Sequence, residues 1–151
     1  MKTFSSFEAL QAAVGTEVAV TDWLTITQER INRFADATDD HQWIHVDAER
    51  AARGPFGRPI AHGFLTLSLL SRWLGEAVLV EGVRMSINYG IERVRFTAPV
   101  PVGSRLRARL NLLSLQPIEP DGVHLAWRVT VEIEGQTKPA CVAEMLVRHY
   151  R

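Results

Sequence analysis

The sequence predicts a single α+β domain in which an antiparallel sheet curves around one long helix. Two observations carry that prediction. Residues 60–80 are apolar on nearly every face but are interrupted by His62, Arg72 and Glu76. Such a segment suits a helix wrapped by protein and is too polar to span a bilayer. After Gly82, apolar and polar residues alternate through four stretches separated by turn signals, the period of half-buried strands.

Composition narrows the class. The chain has 151 residues, 46% of them hydrophobic and 23% charged, enough to bury one core and too apolar for disorder. No repeat or linker divides it, so residues 1–151 read as one domain. Seventeen basic and seventeen acidic side chains give zero net charge, which argues against a nucleic-acid partner, since that needs a basic footprint. The single cysteine, Cys141, excludes an internal disulfide and points to a reducing compartment. Its β-rich setting makes it a small buried hydrophobe rather than a nucleophile. Residues 1–8 lack the apolar core of a signal peptide, so a cytoplasmic location is expected, with no membrane partner.

The elements follow in order. Ser5 and Glu8 have capping-box spacing ahead of Phe7, Leu10 and Val14, a helical stripe ended by Gly15. Residues 17–27 are rich in Val, Thr, Ile and Trp and suit a strand. Thr27 can cap a second helix whose Ile31, Phe34, Ala35 and Thr38 share a face. Residues 39–59 are irregular and polar, with a short helix around residues 47–53. Pro59 then stands where the first turn of the long helix is expected. Beyond it Val83, Met85, Ile87, Tyr89 and Ile91 alternate, and the phase shifts at Val94 and Phe96 as a β-bulge requires. Alternation resumes in three more stretches, Leu106 to Leu112, Trp127 to Ile133 and Cys141 to Val147. A helix followed by four antiparallel strands, with one strand upstream, is the hot-dog arrangement.

The irregular segment gathers titratable groups: Asp36, Asp39, Asp40, His41 and His45, with His62 just inside the long helix. Spacing alone leaves three readings open. His41 and His45, four apart, would share a helix face and could ligate a metal beside a carboxylate. Asp39 or Asp40 could simply end a helix, with His45 a satisfied interior histidine and Asp36, His41 and Asp47 structural. Or Asp40 and His45 could hold one water between them, remove its proton and deliver a proton to a nearby carbon.

Three stretches separate these readings. Residues 40–45 (Asp-His-Gln-Trp-Ile-His), residues 58–63 (Arg-Pro-Ile-Ala-His-Gly) and residues 99–103 (Pro-Val-Pro-Val-Gly) within a strand-rich end resemble the MaoC-like (R)-specific enoyl-CoA hydratases. The single-domain actinobacterial kind is the best fit, and the resemblance covers essentially the whole chain. It implies a hot-dog fold with an overhang that carries a catalytic Asp and His, here Asp40 and His45. It also implies that Gly63 presents its N–H to the thioester oxygen. Gly63 falls in the first helical turn, where amides lack intrahelical partners and the helix dipole favours negative charge. Where the family usually has Gly, Asn and Pro around the aspartate, this chain has Asp39, Gln42 and Trp43.

Ile60, Ala61, His62, Phe64, Ser71, Asn88 and Arg95 are the expected contacts of an acyl-CoA substrate. No metal is expected, since residues 41–45 follow the predicted helix end and no second ligand pair has a metal spacing. No separate cofactor is expected, and the resemblance implies a homodimer. Fifteen of the seventeen basic residues are arginines, the side chain suited to phosphates. Arg105, Arg107 and Arg109 alternate on one strand face, either as a solvated exterior or as a grip for CoA. Two other activities fit the same pattern, dehydration of 3-hydroxyacyl groups on an acyl carrier protein and non-catalytic acyl-CoA binding. A hot-dog thioesterase fits the two motifs less well.

Overall fold

The computed structural model describes residues 1–151. Strand β1 (Lys2–Phe4) leads into helix α1 (Phe7–Gln11). The cap is Ser6, whose side chain accepts from Ala9 N, so the helix starts one residue later than a box at Ser5 predicts. That phase turns Phe7 and Leu10 into the core. The predicted strand at residues 17–27 is two pieces, β2 (Glu17–Val20) and β3 (Leu24–Thr25).

Thr27 caps α2 (Gln28–Thr38) through Arg30 N, as the sequence predicts. Ile31 and Ala35 are buried and Phe34 is half-buried. Thr38 leaves the shared face; it is exposed and its hydroxyl donates to the Phe34 carbonyl. Two short helices follow, α3 (Trp43–Val46) and α4 (Ala48–Ala52). The second is the one expected near residues 47–53, capped by Asp47; the first is a single turn that no periodicity signals.

The long helix α5 (Gly63–Ala77) starts later than residue 60, and Pro59 is outside its first turn. Residues 60–62 are instead an extended strap tied to the sheet: Ile60 bridges Pro101, and Ala61 N donates to the Val100 carbonyl. At the other end the apolar run leaves the helix, because Val78–Val80 form β4 and pair in parallel with β1.

Four long strands complete the fold: β5 (Met85–Phe96), β6 (Arg105–Ile118), β7 (Gly122–Ile133) and β8 (Cys141–Tyr150). The main sheet is antiparallel in the order β2-β6-β7-β8-β5, with β3 also on β6. Between β2 and β3, Thr21 N donates to the Ala108 carbonyl and the Thr21 hydroxyl accepts from Ala108 N, so a side chain replaces a ladder bond there. The predicted phase shift before Val94 is real: the β5–β8 register slips between Glu92 and Arg95, with Arg93 at φ 52°. The β6–β7 hairpin runs past Leu112 because a register slip between Leu112 and Ser114 breaks the alternation without ending the pairing.

Leu106, Ala108, Leu110 and Leu112 of β6 and Trp127, Val129 and Val131 of β7 are fully buried. They belong to one core with Leu65, Leu69, Leu70 and Trp73 of α5. Cys141 is buried there too, and burial pushes its thiol up to about 11. The wrap around α5 is one-sided in the single chain, for Phe64, Ser68, Ser71 and Arg72 remain exposed. The neighbouring edge strand β5 exposes Met85, Ile87, Tyr89, Ile91 and Phe96. No helix is long and apolar enough to cross a membrane.

Candidate active site

The site forms where α2, the α3 turn and the start of α5 meet. Helix α2 ends at Asp39, which takes the left-handed conformation at φ 56°. A glycine is favoured at such a position and aspartate is tolerated, so Asp39 can make the turn for which the resemblance implies a glycine. The turn releases Asp40 into an exposed loop. Its carboxylate meets only the Gln42 amide within the chain, at 3.4 Å.

His45 lies on α3 and is 6% exposed. Gln28 of α2 donates to the His45 carbonyl at 2.8 Å, which ties the two helices together. The His45 ring is fixed by a 2.7 Å bond between Nδ1 and the Ile60 carbonyl. A carbonyl can only accept, so Nδ1 carries the proton and Nε2 presents a lone pair in the neutral ring. Burial lowers the pKa of this histidine below its ordinary 6.5, against a smaller opposite effect of the Ile60 bond. It is therefore a neutral imidazole near pH 7 and available as a base.

One ligand-type atom from each of Asp40, His45 and His62 lies within 4.8 Å of the others. Two ordinary hydrogen bonds to a single water span about 4.6 Å, so one water can bridge carboxylate and imidazole. The same trio is chemically able to hold a metal. However, the His45 and His62 rings are stacked, with centroids 3.7 Å apart and planes at 26°. In-plane lone pairs of stacked rings run side by side and do not converge on one ion, which disfavours a shared metal.

His45 opens onto a cavity of about 260 Å³ lined by Ile60, Ala61, Gly63, Thr66, Phe96 and the turn at residues 98–100, among others. Gly63 is the first residue of α5, so its N–H has no intrahelical acceptor and carries the positive end of the helix dipole. The Phe96 ring lies directly over it. His45, an apolar slot and a free amide thus share one pocket, and Asp40 approaches His45 from the loop outside its lining.

A domain model described as MaoC like domain matches residues 9–132. The chain belongs to the MaoC-like family. It is 56% identical over 149 residues, 99% of both chains, to a 3-hydroxyacyl-thioester dehydratase Z of Mycobacterium tuberculosis. It is 47% identical over 144 residues to nodulation protein N of Rhizobium meliloti, covering 93% of this chain and 89% of that one. Among solved structures, an (R)-hydratase of Aeromonas caviae involved in PHA biosynthesis superposes with a TM-score of 0.72. That match has 26% identity and covers 87% of this chain and 94% of the other. The hot-dog fold expected from the strand pattern is thereby shared with a solved MaoC-like relative.

In this MaoC-like chain the remaining candidates are scattered. Ile60 and Ala61 line the cavity beside Gly63. His62 does not; it is 3% exposed and lies behind Asp40, so the expected substrate contact is replaced by contacts within the protein. Phe64 is 67% exposed and meets Phe96 edge-on at 5.8 Å. Ser71 and Asn88 are distant from the pair: Asn88 Nδ2 donates to Ser71 Oγ at 2.9 Å. They line a separate cavity of about 130 Å³ with Ser86 and His149. Arg95 is exposed and donates to the neighbouring Val94 carbonyl.

Arg105, Arg107 and Arg109 form the solvated exterior, each paired with a carboxylate, Glu134, Glu132 and Glu17 respectively. Asp36 and His41 pair with each other in solvent at 2.9 Å. Thr66 and Phe96 were not among the sequence candidates for the site. The bulge signal before Phe96 was the available hint, because it changes which face that ring takes.

Proposed function

We propose that the chain is a hydro-lyase of acyl thioesters and that it hydrates trans-2-enoyl-CoA to (R)-3-hydroxyacyl-CoA. One observation carries the reading: Asp40 stands within reach of a single water from His45, and His45 lines a pocket that also contains the free amide of Gly63. Addition of water pushes charge onto the thioester oxygen, and a donor aimed at that oxygen contributes a few kcal/mol in the transition state. Asp40 and the His45 Nε2 lone pair would orient and deprotonate the water on one face of the alkene, and the protonated member of the pair would return a proton to the α-carbon. The reaction needs no redox or metal cofactor, since CoA is part of the substrate.

The name of the M. tuberculosis relative favours a second emphasis, the reverse reaction on a 3-hydroxyacyl thioester. Microscopic reversibility assigns both directions to the same residues, and the carrier would be CoA or an acyl carrier protein. Arg95 is the candidate phosphate contact, because Arg105, Arg107 and Arg109 already have carboxylate partners. The exposed faces of α5 and β5 support a homodimer.

The test is the loss of enoyl absorbance with crotonyl-CoA, with chiral analysis of the product and a series from C4 to C16. Asp40→Asn and His45→Gln should each lose several orders of magnitude in turnover while keeping the wild-type circular dichroism. Near-normal hydration by either variant, or an (S) product, would overturn the reading.

A further inference from the structure

His62 is the titratable group of the site for which the proposed reaction has no use. Its ring lies between Phe34, at a centroid distance of 5.0 Å, and His45, at 3.7 Å. Its Nε2 is 3.0 Å from the main-chain carbonyl of Asp40. Nε2 must therefore carry the proton, and Nδ1 is left as a buried acceptor with no partner. An unpaired buried polar atom is costly, and a phenylalanine would fill the same gap between two rings without it. The histidine therefore offers something that packing alone does not require.

The restraint on Asp40 supplies the reason. Asp40 follows a left-handed residue, lies in an exposed loop, and has one long side-chain contact to Gln42. The bond from His62 to its carbonyl is what fastens it from behind. We propose that His62 is a positioning residue that sets the gap between Asp40 and His45, gripping the first through its main-chain carbonyl and the second through the face of its ring. Because His62 immediately precedes Gly63, the same strap would hold the oxyanion amide in register with the pair. This inference rests on the hydration reading, and misplacement of about 1 Å at such a site costs on the order of 100-fold in rate.

Two substitutions separate the two contacts. His62→Gln keeps an N–H that can reach the Asp40 carbonyl but loses the ring; His62→Phe keeps the ring but loses the donor. With crotonyl-CoA, His62→Phe should lower kcat about 100-fold at nearly unchanged KM, and His62→Gln should stay within about tenfold of wild type. The titratable groups facing the His45 ring are Asp40 and His62; the Ile60 carbonyl faces its other side. Removing His62 leaves Asp40 unopposed, so the acid limb of the kcat profile should move to higher pH in both variants.

A folded His62→Phe variant with wild-type kcat, or equal losses in both variants with an unmoved acid limb, overturns the proposal. Should the variants misfold, ring nitrogen spectra of the wild-type protein decide it at pH 7.5. An Nε2-protonated His62 supports the grip on Asp40, and an Nδ1-protonated one overturns it. A wild type that leaves crotonyl-CoA and longer enoyl-CoAs untouched fails the hydration reading itself, whereas an active wild type with an indifferent His62→Phe fails only the inference.

Discussion

The Phe96 ring lies so close over Gly63 that a Cβ on residue 63 would stand 2.8 Å from Phe96 Cδ2. Real side chains do not meet at that distance, and the atoms approached are the stem and near edge of the ring, not a flexible tip. The contact joins the last residue of β5 to the first residue of α5, at the amide proposed to receive the thioester oxygen. Absence of a side chain there permits both the aromatic wall and the approach of substrate.

Gly63→Ala should therefore push Phe96 aside and displace the amide. The expected loss is about 100-fold in kcat/KM, in the range seen when an oxyanion donor is removed. Adding Phe96→Leu to Gly63→Ala should recover part of it, because a smaller side chain leaves room for the new methyl. Additive losses in the double variant, measured as a cycle on crotonyl-CoA, would mean that the two residues do not act through this contact.

Part of the candidate site was legible because its signal is local. The Asp40 and His45 pattern and the Ala-His-Gly run can be read along a few residues, although spacing alone leaves three readings open. Thr27 announces its helix by capping chemistry; the long helix, expected to start at Pro59, starts at Gly63. What escaped was non-local. The extended strap at residues 60–62 exists because Ile60 and Ala61 bond to the turn at residues 99–103, which no helical periodicity reveals. His62 consequently looked like a substrate contact when its partners are Asp40 and His45. Ser71 and Asn88 found each other across α5 and β5, and the arginines of β6 found their glutamates on neighbouring strands. Pairings of that kind depend on register, and the slips in β5 and β6 shift register in ways that alternation can only hint at.

Stability should fall as the protein is acidified below neutrality. Burial lowers the pKa values of His45 and His149 below 6.5. Between their folded values and 6.5 the unfolded chain binds more protons than the native one, so stability rises with pH through that window. His41 works in the opposite sense, raised by its bond to Asp36, but the pair is in solvent and its effect is weak. The urea midpoint should accordingly be lower at pH 5.5 than at pH 7.5. The drop should shrink in His149→Gln, whose amide oxygen can still accept from the Ser86 hydroxyl that now bonds His149 Nδ1. A midpoint independent of pH in the wild type would contradict this assignment.

The free edge of the sheet makes the last prediction. β5 ends the strand order, and its Met85, Ile87, Tyr89 and Ile91 are 40–53% exposed beside Phe64 at 67%. An edge this long and apolar invites pairing, and a two-fold interface would use the same patch on both copies. Ile87 stands opposite Arg148 in the register with β8, so Ile87→Glu gains a cross-strand partner within the chain and should fold normally. Across a two-fold axis the same change brings two carboxylates toward one another, and like charges in an interface cost several kcal/mol. Light scattering at micromolar concentration should give twice the chain mass for the wild type and a single chain mass for Ile87→Glu. A dimeric variant would move the interface away from β5, and a monomeric wild type would remove the homodimer altogether.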